Sequence, residues 1–208
     1  METLKKISLI VLLGFFSTIV YAQQNTEKKI IEGFQNSYLH EASGNLAEAI
    51  LDLKNVYQAD SYPINLRLGW LTYSSGMFSE SQSYYNKAVA LKPYAVEPRM
   101  GLVLPLAAMG NWDAVIAQYH KVLEIMPNYS VALHRLGLIY YGQKDYEKAE
   151  KYFEKVVNLY PFDYDGLVML AWTEFHLKKY RQAKVLFNTA LMHTPTGASA
   201  LEGLKLMQ

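Results

Sequence analysis

Proline recurs through most of this chain at one constant interval, at Pro93, Pro127, Pro161 and Pro195. Four further series of residues keep the same interval. They are Phe78, Trp112, Tyr146 and Tyr180; Ser81, Val115, Ala149 and Ala183; Tyr85, Tyr119, Phe153 and Phe187; and Ala88, Val122, Val156 and Ala190. Such a period indicates tandem structural repeats, each of which buries its apolar face by stacking on its neighbours.

Within one repeat the apolar residues fall into two groups with helical spacing. In the fourth repeat the first group is Leu133, Leu136 and Tyr140, and the second is Ala149 and Phe153. Each repeat is therefore predicted to be two antiparallel helices joined by a short turn. The first four turns carry a glycine that can end a helix in the left-handed conformation. These glycines are Gly44, Gly76, Gly110 and Gly142.

A more divergent copy precedes these repeats. Leu46, Ala49, Leu53 and Val56 match the four series when two residues are deleted before the next repeat. The chain is therefore predicted to hold five repeats, after a short linker at 23–29 and before a C-terminal capping helix at 198–208. The repeats are placed at 30–61, 62–95, 96–129, 130–163 and 164–197.

The fourth repeat carries the most regular motif, Leu136-Gly137-x-x-Tyr140, followed by Ala149-x-x-x-Phe153 and Pro161. These residues and their spacing resemble the tetratricopeptide repeat family. The resemblance implies an all-α fold, a right-handed α-solenoid of about five helix-turn-helix repeats. It also implies that the first helix of each repeat lines a concave face.

The third repeat departs furthest from the motif. It has Val103 where the motif has glycine, Leu106 where it has tyrosine and Val115 where it has alanine. It also has Pro105 inside its first helix. An interior proline kinks a helix or costs about 3 kcal/mol, so a local bend is predicted there.

The resemblance implies a concave face formed by the second, fifth, ninth and twelfth residues of each repeat, which share one side of a helix. In this chain they are mainly apolar and aromatic, and aromatic residues are frequent anchors in interfaces. Trp112 belongs instead to the structural series of Phe78 and Tyr146. Each groove aromatic can alternatively pack against a neighbouring helix as core. The partner-binding groove is assigned to Phe34, Tyr38, Leu66, Trp70, Tyr73, Met100, Leu104, His134, Leu138, Tyr141, Val168, Trp172 and Phe175.

The N-terminus has the pattern of a secretory signal peptide. Lys5 and Lys6 precede an apolar run from Ile7 to Val20, and the small-residue pattern before a cleavage site follows at Ala22. This run is shorter than the about 20 residues that span a bilayer. We predict cleavage between Ala22 and Gln23, a periplasmic or secreted protein, and no membrane span after cleavage; a retained anchor is the alternative.

Composition and motifs favour no chemistry. The chain has no cysteine, so no thiolate site is predicted. It has 20 basic and 19 acidic residues, and this near balance does not favour nucleic acid as a partner. The five histidines include no i, i+4 pair, so no metal site is predicted. The alternating charges of Glu147, Lys148, Glu150 and Lys151 are typical of a solvated helix face with i, i+4 pairs. No cofactor and no enzymatic activity are predicted.

The predicted function is that of an exported adaptor whose concave aromatic groove binds an apolar segment of a protein or peptide. Two alternatives stay open. The groove can receive a second copy of the chain, which would make a self-associating scaffold and a homo-oligomer. The chain can also be an accessory subunit or ligand-binding module of an envelope complex.

Overall fold

The computed structural model describes residues 24–208, and every regular element within that range is an α-helix. The predicted all-α class is therefore confirmed. The signal peptide predicted at 1–22 lies outside the described residues. The helices of the described range are α1 (24–42), α2 (Leu46–Asn55), α3 (Tyr62–Ser74), α4 (Phe78–Leu91), α5 (Glu97–Ala108), α6 (Trp112–Ile125), α7 (Ser130–Gly142), α8 (Tyr146–Leu159), α9 (Tyr164–His176), α10 (Tyr180–His193) and α11 (Ala198–Lys205).

The described residues divide into two compact units, 24–93 and Tyr94–Gln208. The first unit contains the helix pairs α1/α2 and α3/α4. The second contains the pairs α5/α6, α7/α8 and α9/α10, with α11 packed beside the last pair. No helix among residues 24–208 combines the length and the apolar character that crossing a membrane requires.

The period of the sequence is visible in the helices themselves. The second helix of four successive pairs begins at Phe78, Trp112, Tyr146 and Tyr180. The other three residue series are buried throughout, because they lie on the side of each second helix that meets its first helix. Of these, Tyr85, Tyr119, Phe153 and Phe187 are at most 5% exposed.

The turns inside the pairs use the left-handed conformation in two ways. Gly44, Gly76 and Gly110 have positive φ angles, as predicted. The prediction for Gly142 was wrong, because this residue is the last of α7 and the left-handed residue is Lys144, with φ of 62°. A lysine there carries a steric cost that glycine does not.

The linker predicted at 23–29 is also wrong, because α1 is helical from residue 24 onward. The first turns of α1 contain glutamate, glutamine and lysine, which are good helix formers. The ammonium of Lys28 lies 3.8 Å from the carboxylate of Glu32, one helical turn away. This exposed end is thus helical without carrying the apolar pattern of a repeat.

α5 continues as a helix beyond Pro105, to Ala108, and the bend predicted there stays a prediction. At the other end of the second unit, α11 covers the last pair. Ala200 is buried and Leu204 packs against the cluster that contains Phe187. This arrangement confirms the predicted C-terminal capping helix.

Candidate functional site

Three aromatic side chains of the predicted groove lie on α1 and α3 in the first unit. We call Tyr38, Trp70 and Tyr73 the aromatic patch. Tyr38 is 55% exposed and Trp70 is 42% exposed, and the ring centroids of Trp70 and Tyr73 are 6.1 Å apart. The other two predicted groove residues of this unit, Phe34 and Leu66, are half-buried, and Phe34 packs against the core.

Two charged residues fix the aromatic patch in place. The guanidinium of Arg67 and the indole N–H of Trp70 donate hydrogen bonds to the two carboxylate oxygens of Glu41, at 2.6 and 2.7 Å. The guanidinium carbon of Arg67 also lies 3.9 Å from the centroid of the Tyr38 ring, within cation–π distance. Burial opposes ionisation of Glu41, but these hydrogen bonds outweigh it and hold its pKa below the usual value. Sequence reasoning did not single out Arg67.

A cleft of about 650 Å³ lies between α5, α6 and α7 in the second unit, and we call it the interhelix cleft. Three predicted groove residues, Met100, Leu104 and Leu138, line it. Its volume lies within the range of about 300–1,000 Å³ in which proteins bind small ligands. All the lining residues are Met100, Val103, Leu104, Trp112, Val115, Tyr119, Val131, Arg135, Leu138, Ile139, Gly142 and Gln143.

The cleft has a cause in the sequence, at the position where the repeat motif has glycine. A Cβ atom on Gly137 would lie 2.6 Å from the ring of Phe153, so that ring rests directly on the α7 backbone. Gly69 and Tyr85 make the same close approach, at 2.9 Å. The third pair has Val103 and Tyr119 at these positions.

In the third pair the Val103 side chain occupies the place that the Phe153 ring takes at Gly137. The Tyr119 ring therefore cannot rest on the helix backbone as the Phe153 ring does. Val103, Val115 and Tyr119 all line the cleft instead. The sequence showed that Val103 and Val115 depart from the repeat motif, but this difference alone did not predict a cavity.

Trp112 begins a second helix, like the other members of its series, but membership of the series did not predict its exposure. Trp112 is 50% exposed and lines the interhelix cleft. It begins α6, where a side chain reaches the edge of the pair and not its centre. The cleft therefore has a tryptophan that sequence reasoning had left out of the groove.

Two polar groups of the cleft affect its electrostatics. Burial raises the pKa of the Tyr119 hydroxyl, and the nearby positive charge of Arg135 opposes that rise. None of the residues that line the cleft is acidic. The lining is therefore apolar with one positive charge, that of Arg135.

Two predicted groove residues at the far end of the second unit are covered. Val168 is 6% exposed and belongs to the core of the last pair, so it offers no groove surface. The ring of Trp172 packs edge-on against Phe187, with centroids 5.2 Å apart, and its N–H donates to the hydroxyl of Ser199 at 2.8 Å. Both are covered because α11 packs across this end of α9.

The remaining groove residues lie in aromatic contacts. Tyr141 and His176 form a hydrogen bond of 3.0 Å between the tyrosine hydroxyl and Nε2, and the His176 ring stacks on Tyr146. His134 is half-buried against Phe153. Burial, with help from Arg135, lowers the pKa of His134. Phe175 is half-buried against Trp172.

One acidic cluster departs from the solvated face predicted for α8. Carboxylate oxygens of Glu150, Glu154 and Glu174 lie within 4.8 Å of one another. Lys179 binds Glu150 and lies 3.8 Å from Glu174, so a lysine ammonium already supplies a cation there. Burial, followed by the hydrogen bond with Glu150, raises the pKa of Glu174 to about 7. The predicted i, i+4 pairs are wrong for Glu150, because it faces Lys179 and not the next turn.

Known proteins share the repeats of this chain. Two segments, 130–163 and 62–94, match family models described as tetratricopeptide repeat. The chain is 26% identical over 148 residues to the photosystem I assembly protein Ycf3 of Prochlorococcus marinus, covering 62% of this chain and 86% of that protein. It is 24% identical over 132 residues to anaphase-promoting complex subunit 6 of Arabidopsis thaliana, of which it spans only 24%.

Among solved structures, the fold is similar to that of YrrB, described as a tetratricopeptide repeat protein with an unusual peptide-binding site. The TM-score is 0.69 at 15% identity, and the match covers 89% of this chain and 97% of YrrB. At this identity the likeness concerns the fold alone. The matching segments and the fold agree with the motif around Gly137 and Phe153: residues 62–94 and 130–163 are similar to tetratricopeptide repeats.

Proposed function

We propose that this chain is an exported protein-binding module whose interhelix cleft receives apolar side chains from a segment of another protein. Tetratricopeptide repeats mediate protein–protein interaction, and proteins of this fold are typically interaction modules and not enzymes. The observation that carries the proposal is the cleft itself, an apolar cavity of about 650 Å³ between α5, α6 and α7.

The composition of the cleft supports a protein segment as its occupant. Tryptophan and tyrosine are enriched among the residues that dominate binding energy in interfaces, and Trp112 and Tyr119 both line it. The volume exceeds that of any single side chain, so one apolar residue of a partner and part of its neighbour can enter. YrrB is described by a peptide-binding site and Ycf3 by an assembly role, which agrees with this class of function.

The aromatic patch of the first unit is proposed as a second contact surface. Tyr38 and Trp70 are exposed, and Glu41 and Arg67 hold the patch in one arrangement. A side chain that is already ordered loses less conformational entropy when it binds. Each unit thus offers a surface of its own.

A selection of peptides tests the cleft. A displayed library of random peptides would be panned on the full-length chain, and the selected peptides measured against Leu138→Trp. This variant fills the cleft with a residue that the chain already has at the equivalent positions of other repeats, Trp70 and Trp172. Leu51→Trp, at an exposed residue of α2, is the matched control. We expect Leu138→Trp to abolish binding and Leu51→Trp to leave it unchanged.

Equal binding by both variants would remove the cleft from the proposal. Self-association of the parent chain that Leu138→Trp abolishes, measured by analytical ultracentrifugation, would favour the self-associating scaffold instead. Circular dichroism of both variants would establish that the helices are intact.

The exported location is proposed from the N-terminal pattern alone, which lies outside the described residues. N-terminal sequencing of the protein isolated from its native host tests it. We expect the mature chain to begin at Gln23. A chain that keeps Met1, or that stays in the membrane pellet after washing with carbonate, would overturn cleavage.

A further inference from the structure

Resting on the proposed function, we infer that the interhelix cleft selects partner segments in which a carboxylate lies close to the apolar anchor, and that Arg135 binds this carboxylate. The partner is thus a protein segment with a large apolar residue and a nearby aspartate or glutamate.

The cleft carries a single positive charge. Its lining holds one ionised side chain, Arg135, and no acidic residue. Arg135 forms no hydrogen bond or ion pair with any residue between 24 and 208, and its charge acts there on Tyr119 and His134. A partner that buries this arginine without supplying a negative group would leave a charge uncompensated, which is costly in a desolvated interface.

Two other cations of this protein contrast with Arg135. The buried guanidinium of Arg67 is paired with Glu41 at 2.6 Å. Lys179 is paired with Glu150. These two cations serve the fold, whereas Arg135 presents its charge at the rim of an apolar cavity, as a recognition residue does.

No described residue around Arg135 forms an ion pair with it. The other polar groups of the lining are the Gln143 amide, the Tyr119 hydroxyl and the Trp112 indole N–H, and all three are uncharged at neutral pH. Arg135 also lines a smaller cavity of about 430 Å³ beside the cleft, and Asp163 and Asp165 line this cavity too. Neither aspartate forms an ion pair with Arg135, and Asp163 caps α9 by accepting a hydrogen bond from the Gly166 N–H at 2.8 Å.

The geometry of arginine explains why a carboxylate is the expected group. The planar guanidinium presents paired N–H donors that match the two oxygens of a carboxylate. Its aliphatic stem can lie along an apolar surface while the charged end stays at the rim. An apolar side chain in the cleft and a carboxylate at its mouth therefore satisfy both parts of the site at once.

Matched peptides test the inference. From a selected peptide that contains an acidic residue beside its apolar anchor, a second peptide with glutamine or asparagine at that position would be synthesised. Fluorescence anisotropy would measure both with the full-length chain, with Arg135→Gln and with Lys151→Gln, an exposed residue of α8 outside the cleft. We expect the amide peptide to bind the parent about tenfold more weakly, a difference of about 1.4 kcal/mol.

The same difference should vanish in Arg135→Gln and persist in Lys151→Gln. It should also shrink as NaCl is raised from about 50 mM to about 500 mM, because salt screens the pair. Peptides selected without enrichment of acidic residues, or equal binding of both peptides to the parent, would overturn the inference.

The failures are distinguishable. If acid and amide peptides bind alike but Leu138→Trp abolishes both, the cleft stays the binding site and Arg135 loses its role. If Leu138→Trp has no effect, the proposed function of the cleft fails as well. Tight binding of decanoate by the parent, without cleft-dependent peptides, would assign the same apolar and carboxylate chemistry to a small ligand and overturn the choice of a protein partner.

Discussion

The third and fourth helix pairs lie in the same unit and in the same register, yet one is open and the other is closed. In α7/α8, the ring of Phe153 lies against the backbone at Gly137 and fills the space between the two helices. In α5/α6, Val103 occupies the glycine position, and a cleft of about 650 Å³ lies beside Tyr119. One side chain at a position of close approach thus separates a structural contact from a candidate binding site.

The fifth pair adds a second way to close the same space. Its equivalent of Leu138 is Trp172, whose ring packs on Phe187 and whose N–H binds Ser199 of α11. At this position the pair is closed because a large side chain and a capping helix fill the space. The following predictions test this contrast between the open third pair and the closed fourth and fifth pairs.

The largest effect is expected where α11 closes the fifth pair. Trp172→Ala should leave a cavity beneath α11 and lower the free energy of unfolding by about 3 kcal/mol, the lower end of the range for such truncations. Thermal unfolding followed by circular dichroism measures the loss. Trp112→Ala, at the half-exposed residue of the open pair, should cost much less. Equal losses would show that the two tryptophans do not differ in burial as described.

The next effect converts the closed pair toward the open one. Gly137→Val would place a side chain within 2.6 Å of the Phe153 ring, so we expect a loss of about 2 kcal/mol from overpacking. Gly142→Ala is the control, because a Cβ there meets nothing within 4 Å, and alanine favours a helix over glycine. A thermal midpoint for Gly137→Val as high as that of Gly142→Ala would contradict the close approach.

A smaller, pH-dependent effect is expected at Glu174, which takes in the fifth pair the position that Tyr140 has in the fourth. Its folded pKa is about 7, above the ordinary value of 4.5, because of burial and then of Glu150. The folded chain therefore holds a proton that the unfolded chain releases earlier, so this group's contribution to stability falls as pH rises from about 4.5 to about 7.

Glu174→Gln removes that dependence. Its thermal midpoint should exceed that of the parent at pH 8 and differ less from it at pH 5. Glu147→Gln, at an exposed residue of α8, should show no such divergence. If the thermal midpoints of the parent and of Glu174→Gln differ by the same amount at pH 5 and pH 8, the raised pKa is refuted.

The smallest effect concerns the turns of the two pairs. Gly110 makes the turn in the third pair, whereas Lys144 takes the left-handed conformation in the fourth. Lys144→Gly should relieve backbone strain, although the greater freedom of glycine in the unfolded chain partly offsets the gain. We expect the free energy of unfolding to rise by less than about 1 kcal/mol. Lys151→Gly, inside α8, should instead destabilise by about 1 kcal/mol. Urea unfolding of both variants measures the sign, and destabilisation by Lys144→Gly would contradict the strain.

Much of the fold could be predicted because its signals are periodic and local. The constant interval placed the starts of α4, α6, α8 and α10, and helical spacing identified the buried faces around Phe153 and Phe187. The candidate site was less predictable. Met100, Leu104 and Leu138 were identified as groove residues, but Trp112 was left out of the groove and the buried Val168 was placed in it.

The sequence by itself determined the helix pairs, their period and their buried faces, because these follow from the spacing of apolar residues along one chain. It also contained the cause of the cleft, in Val103 and Val115. Only the tertiary structure decided that these valines open a cavity at α5, α6 and α7, that α11 covers Val168 and Trp172, and that Arg135 forms no ion pair among residues 24–208. Such outcomes depend on how side chains of different helices share space, and no single segment specifies that.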